Sequence, residues 1–115
     1  MTDASDIVSL ENYLRGFAFA REWEQFHTPC NLAKSISIEA AELLELFQWS
    51  DNPKEDPAPE MADILIYLIR MADVMGIDLI KANWSKITEN GQKNPVEECK
   101  GRSTKYDRLE IEGAL

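Results

Sequence analysis

At 115 residues the chain has room for one domain with one modest core. Its 12 basic and 21 acidic residues leave a net charge of -9, which argues against a generic binder of nucleic acid or anionic membrane, since both partners would be repelled. Cys30 and Cys99 match neither a zinc spacing nor a disulfide framework, no basic apolar leader surrounds Asp3 and Asp6, and the longest apolar run goes only from Ile64 to Ile69. A reduced cytoplasmic protein with no membrane segment is expected.

In chain order the periodicity predicts helices alone, with no alternating strand pattern and no repeat. The first helix is expected to start after Ser5 or Asp6 and run to about Glu24, with Ile7, Leu10, Leu14 and Phe17 on one face. His27-Thr28-Pro29-Cys30-Asn31 breaks it, and Asn31 is expected to cap a second helix from Leu32 to about Trp49. A polar loop with three prolines follows, then a third helix from about Glu60 to Met75, stopped by Gly76. Asp78 is expected to cap a fourth helix that closes at Gly91. The expected architecture is an all-α four-helix bundle in a single domain, with a helical core over about 6–91 and a polar, basic tail over 92–115. Ile38, Leu44, Trp49, Leu65, Ile66, Ile69 and Trp84 exceed what one stripe per helix can bury, so a homo-oligomer joined through the middle helices is expected.

Two carboxylate pairs of equal spacing stand in the apolar stretches: Glu39 and Glu42, then Glu60 and Asp63. Residues three apart share a helix face. Glu39 falls among Leu32, Ile36, Leu43, Leu46 and Phe47, and Glu60 among Ile64, Leu68 and Met71. An acid on a core-facing stripe is costly unless it is paired, protonated or bound to a metal. In a chain this acidic an isolated pair of this spacing is usually a solvated face. Two pairs on consecutive apolar helices can instead converge on a hard cation. The only histidine, His27, lies outside both pairs, so the ligand set is all oxygen, suiting Mg²⁺ with Mn²⁺ as a substitute.

Further along, Asn83, Lys86 and Asn90 share a face, and Lys100, Arg102, Lys105 and Arg108 form a basic cluster. These are either a solvated helix with a frayed tail or a set of phosphate donors. Trp23 and Trp49 near the ends of the first two helices are either core-edge residues or stacking faces for a base, with Phe17 and Phe26 nearby in sequence. If a base stacks there, hydrogen bonds to its edge are expected from His27, Gln25, Asn31 or backbone groups of the loop between the first two helices.

Together, Glu39-Ala-Ala-Glu42 and Glu60-Met-Ala-Asp63 resemble the ExxE…ExxD signature of the MazG-like, all-α nucleoside triphosphate pyrophosphohydrolases. The blocks Arg21–His27, Glu42–Trp49, Asp63–Leu68 and Lys100–Tyr106 look closest to the dCTP pyrophosphatase branch. The resemblance implies hydrolysis of a dNTP to dNMP and pyrophosphate, Mg²⁺ held by Glu39, Glu42, Glu60 and Asp63, and a water attacking the α-phosphorus. Glu39 or Glu42, set inside an apolar stripe, is the expected acceptor of the water's proton in preference to Glu45. The resemblance also implies phosphate contacts from Tyr67, Lys86 and Asn90, a base flanked by Trp23 and Trp49, a pyrimidine preference and a tetramer built as a dimer of dimers. Two positions depart from the family pattern. Asn90-Gly91-Gln92-Lys93-Asn94-Pro95 lacks a tyrosine before the proline, and Leu14 stands where vertebrate members of the dCTP branch carry a histidine. Two other readings compete: a nucleotide-binding regulatory module that hydrolyses nothing, and a structural bundle whose acids pair with Lys86 or Arg70.

Overall fold

The computed structural model describes residues 6–103, so Lys105 and Arg108 of the predicted basic cluster lie outside the described residues. Helix α1 spans Ile7–Ala20, a 3-10 turn spans Glu24–Phe26, and α2 spans Pro29–Glu45. Helices α3, Ala58–Met75, α4, Leu79–Lys93, and the short α5, Val96–Cys99, complete the order, and no strand occurs among the described residues. The all-α expectation is met. The described residues fall into two compact units, divided between Leu79 and Ile80. In the first unit, α3 packs against both α2 and α1.

Local chemistry sets the helix ends, and it moves several of the expected boundaries. Asp6 caps α1, its carboxylate accepting from the Ser9 N–H at 2.7 Å. The helix then stops at Ala20, four residues short of the expected end. The Trp23 N–H donates to Ala18 O at 3.0 Å and the Glu22 N–H to Phe19 O at 3.1 Å, with Glu22 at φ 56. This is a Schellman closure with a glutamate in the left-handed position that glycine usually takes, and no sequence rule flags it. The same closure ends α3 at Gly76, φ 66, where the Ile77 N–H reaches Ala72 O at 2.8 Å.

Helix α2 is capped by Thr28 instead of Asn31: the Thr28 hydroxyl accepts from the Asn31 N–H at 3.2 Å, and Pro29 follows in the first turn, where its missing N–H costs nothing. The Asn31 amide instead donates to Phe26 O at 3.0 Å, tying the 3-10 turn to the start of α2. At its other end α2 stops at Glu45, which leaves Trp49 in the following loop. Helix α4 runs on past Gly91 to Lys93.

The core is small. Among the described residues only Ala18, Leu32, Ile69 and Ala72 are buried apolar side chains, with Ser9 and Arg70 buried beside them. Ile69, expected at an interface, is inside the chain at 1% exposed. Ile38, Leu44, Leu65, Ile66 and Trp84 are exposed in the single chain.

Candidate active site

The α2–α3 pair places the four signature acids. Glu39 and Glu42 project from α2, Glu60 from the first turn of α3, and Asp63 one turn later. One carboxylate oxygen from each of Glu39, Glu42 and Glu60 lies within 4.8 Å of the others. Asp63 stands beside this trio instead of inside it.

Glu39 and Glu60 are half-buried, as their place on the apolar stripes predicts. Each has one oxygen, Oε2, shut away from solvent with no hydrogen-bond partner. Burial pushes the Glu39 carboxyl above its ordinary value, and the charges of Glu42, Asp63 and Glu60 push it further. Glu60 is raised in the same way, by burial first, then Glu42, Asp63 and Glu55. Orphaned, partly buried oxygens on mutually repelling carboxylates are the arrangement a hard cation relieves. None of Arg15, Arg21, Lys34, Lys54 and Arg70, the described cations of the same unit, forms an ion pair with the trio. The alternative in which Arg70 neutralises these acids therefore fails, because Arg70 is bound elsewhere.

A cavity of about 380 Å³ opens between α1 and α3. Its walls are Tyr13, Leu14, Phe17 and Trp23 on one side and Asp63, Ile66, Tyr67 and Arg70 on the other, with His27 between them. The early end of α1 shapes it. The chain reverses after Ala20 and lays Trp23 edge-on to Phe17, ring centroids 5.8 Å apart at 67°. His27 comes next, 6.3 Å from Trp23. Arg21 covers the Phe17 ring at 3.4 Å from its centroid and donates to the Phe17 carbonyl at 3.1 Å, which holds the aromatic pair in place. Asp63 belongs to both regions: it lines the cavity, and its charge acts on Glu39 and Glu60.

Beneath the cavity lies a polar network that sequence reading missed. Arg70, 5% exposed, donates from Nε to His27 Nδ1 at 3.2 Å and from Nη1 to Asp73 Oδ2 at 2.9 Å. Asp73 also receives Arg15 through two bonds, of 2.6 and 3.0 Å. The hydrogen bonds from Arg15 lower the Asp73 carboxyl below its ordinary value, with Arg70 adding to the effect against burial. The signal was present: Arg70 and Asp73 are an i,i+3 pair of opposite charge inside an apolar helix.

The remaining candidates separate by position. Tyr67 lines the cavity. Phe26 and Trp49 do not; Trp49 is 81% exposed in the loop after α2. The Gln25 amide is bound to Glu22 O at 2.9 Å, and neither it nor Asn31 lines the cavity. Lys86 and Asn90 lie on α4 and Arg102 beyond α5, all in the second unit. Lys86 pairs with Glu89 at 3.4 Å, and Arg102 donates to Glu98 O at 3.3 Å.

An all-α fold with an acidic trio beside an aromatic cavity is an architecture suited to binding metal and nucleotide. The sequence model of the MazG-like family matches residues 34–109, and the chain belongs to that family. It is 41% identical over 104 residues to dCTP pyrophosphatase 1 of Rattus norvegicus, an alignment covering 81% of this chain and 61% of the relative. The same comparison with dCTP pyrophosphatase 1 of Homo sapiens gives 38%. The chain thus spans about three-fifths of the length of these curated relatives. A pyrophosphatase from Archaeoglobus fulgidus, known from a crystal structure, aligns with TM-score 0.72 at 40% identity, covering 83% of this chain and 97% of that one.

Proposed function

We propose that this chain is a Mg²⁺-dependent nucleoside triphosphate pyrophosphohydrolase that cleaves a dNTP to dNMP and pyrophosphate, with a preference for a cytosine-type pyrimidine. The observation that carries this reading is the continuity through Asp63 of a carboxylate trio with a cavity walled by Phe17, Trp23 and Tyr67. A base stacked against Phe17 and Trp23 would direct its phosphates toward the acids.

Glu39, Glu42 and Glu60, with Asp63 adjoining, would hold the divalent cation; Mn²⁺ can substitute, because the donors are all oxygen. Such a cation neutralises phosphate charge and acidifies water, the two things that cleavage at the α-phosphorus needs. The chain's own groups supply the rest. Phe17 and Trp23 offer faces for the base, Tyr67 offers a hydroxyl at the cavity wall, and the apolar side chains of Leu14 and Ile66 exclude water. Glu42, more exposed than Glu39, is the carboxylate placed to accept a proton from the attacking water. Lys86, Asn90, Arg102 and Lys105 retain the phosphate role that the resemblance implies for the first two and their charge suggests for the others.

Incubating the protein with each of the four standard dNTPs and Mg²⁺, with pyrophosphate as the readout, tests the reading. Release from dCTP ahead of the others is expected. Nucleotide binding without pyrophosphate would identify a regulatory module, and equal rates on all four would remove the pyrimidine preference. Trp23→Ala is expected to raise KM about tenfold with little change in kcat, because stacking contributes equally to ground and transition states. An unchanged KM would return Trp23 to a packing role.

We also propose a homo-oligomer, a tetramer by the family resemblance. Ile38 and Leu44 on α2 and Met61 and Leu65 on α3 are all exposed in the single chain, and Trp49 reaches a base only if a second copy covers the α2–α3 end. Light scattering is expected to give four times 13.1 kDa. A monomer at every concentration would sink both the assembly and the role of Trp49.

A further inference from the structure

Arg70 is a cation buried in an apolar helix, and its best-defined use is at His27. A guanidinium only donates hydrogen bonds. The bond from Arg70 Nε to His27 Nδ1 at 3.2 Å therefore requires Nδ1 to be a bare acceptor, and a neutral imidazole with a bare Nδ1 carries its hydrogen on Nε2. The guanidinium cannot easily turn away, because Asp73 holds Nη1 at 2.9 Å and Arg15 holds Asp73 from the other side.

We propose that Arg70 is a positioning residue that locks His27 in the Nε2–H tautomer, so that His27 offers the cavity a fixed hydrogen-bond donor for the acceptor edge of a cytosine-type base. This rests on the reading of the cavity as the base site. Cytosine presents two neighbouring acceptors, N3 and O2, whereas thymine and uracil carry a hydrogen on N3. O2 is an acceptor in all three bases, so the discrimination lies at N3: a donor aimed there that cannot become an acceptor bonds cytosine and meets an opposing N–H in thymine or uracil, leaving two buried donors face to face. Burial and the Arg70 charge lower the His27 pKa, against Glu24, which agrees with a neutral ring. Protonating Nδ1 would set two N–H groups against each other.

His27 is the only histidine in the chain, so a long-range ¹H–¹⁵N spectrum of the full-length ¹⁵N-labelled protein reads its tautomer without assignment. At pH 7 the Nε2–H form is expected, with the resonance moving when Mg²⁺ and the non-hydrolysable α,β-imido analogue of dCTP are added and staying in place with the dTTP analogue. Arg70→Met is expected to give a tautomer mixture and a KM for dCTP raised about three- to tenfold with less effect on kcat, as for one lost neutral hydrogen bond. Arg70→Lys, which keeps a donor, should recover part of it. An Nδ1–H tautomer or an imidazolium in the wild-type protein overturns the proposal. If dCTP is hydrolysed and its analogue quenches tryptophan fluorescence without moving the Nε2 resonance, His27 is not the reader and the base site stands without it. If dCTP is neither bound nor hydrolysed, the base site and the proposal fall together.

Discussion

Replacing Glu39 by glutamine is expected to lower turnover more than about a hundredfold, beyond the 10–100-fold that loss of an outer-shell partner costs a metal site, while the helices stay intact. Glutamine keeps the shape and one donor oxygen but removes the charge that a hard cation requires. The metal-free protein should respond in the opposite sense. Glu39 has its carboxyl raised above 4.5 by burial and by Glu42, Asp63 and Glu60. A raised carboxyl binds protons more tightly in the folded chain than in the unfolded one. Stability is then lost as pH climbs from the ordinary value through the raised one, and it stays lower at neutral pH. Glu39→Gln removes that loss, so the metal-free variant should melt higher than metal-free wild type at pH 7, with the gap closing toward pH 4. Adding Mg²⁺ should reverse the order, since saturation to a hundred times Kd stabilises only the wild type, by about 2.7 kcal/mol. Calorimetry with and without Mg²⁺, beside a pyrophosphate assay, measures all three effects. Full activity in Glu39→Gln would remove this residue from the metal site.

Asp73→Ala should be the most damaging change to the fold outside the core. It leaves Arg70, a guanidinium with 6% side-chain exposure, without its anion, and breaking a buried pair from one side costs roughly 3 kcal/mol or more. For a domain of this size that lowers the melting temperature by on the order of 10 °C. Arg15 matters far less, because half of its side chain is in solvent and exposed pairs contribute little. The pH dependence follows from the lowered Asp73 carboxyl. Its contribution is complete above the unfolded value of 3.8 and is lost as pH falls through the lower folded value, so wild type and Asp73→Ala should converge in acid. Melting curves at pH 7 and pH 3 decide this. Equal melting temperatures at pH 7 would mean that Arg70 finds another acceptor.

Local pattern alone located much of this protein. Glycine at 76 ended α3 because only a residue tolerant of positive φ closes a helix cheaply, and three-residue spacing put both acids of each pair on one face. The half-buried state of Glu39 and Glu60 was legible because an apolar stripe has one inward side. Tertiary structure decided what depends on contacts between elements far apart in the chain. Trp23 entered the cavity because Glu22 took a left-handed turn without glycine, whereas Trp49 came to stand in solvent because α2 stopped four residues early. Arg70 reads in sequence as one charge in an apolar helix. Its partners lie 43 residues upstream at His27 and, through Asp73, 58 residues from Arg15. Helical periodicity carries only the face on which a residue sits. Which donor meets which acceptor across that face is set by how α1 packs on α3, and no local rule contains that packing.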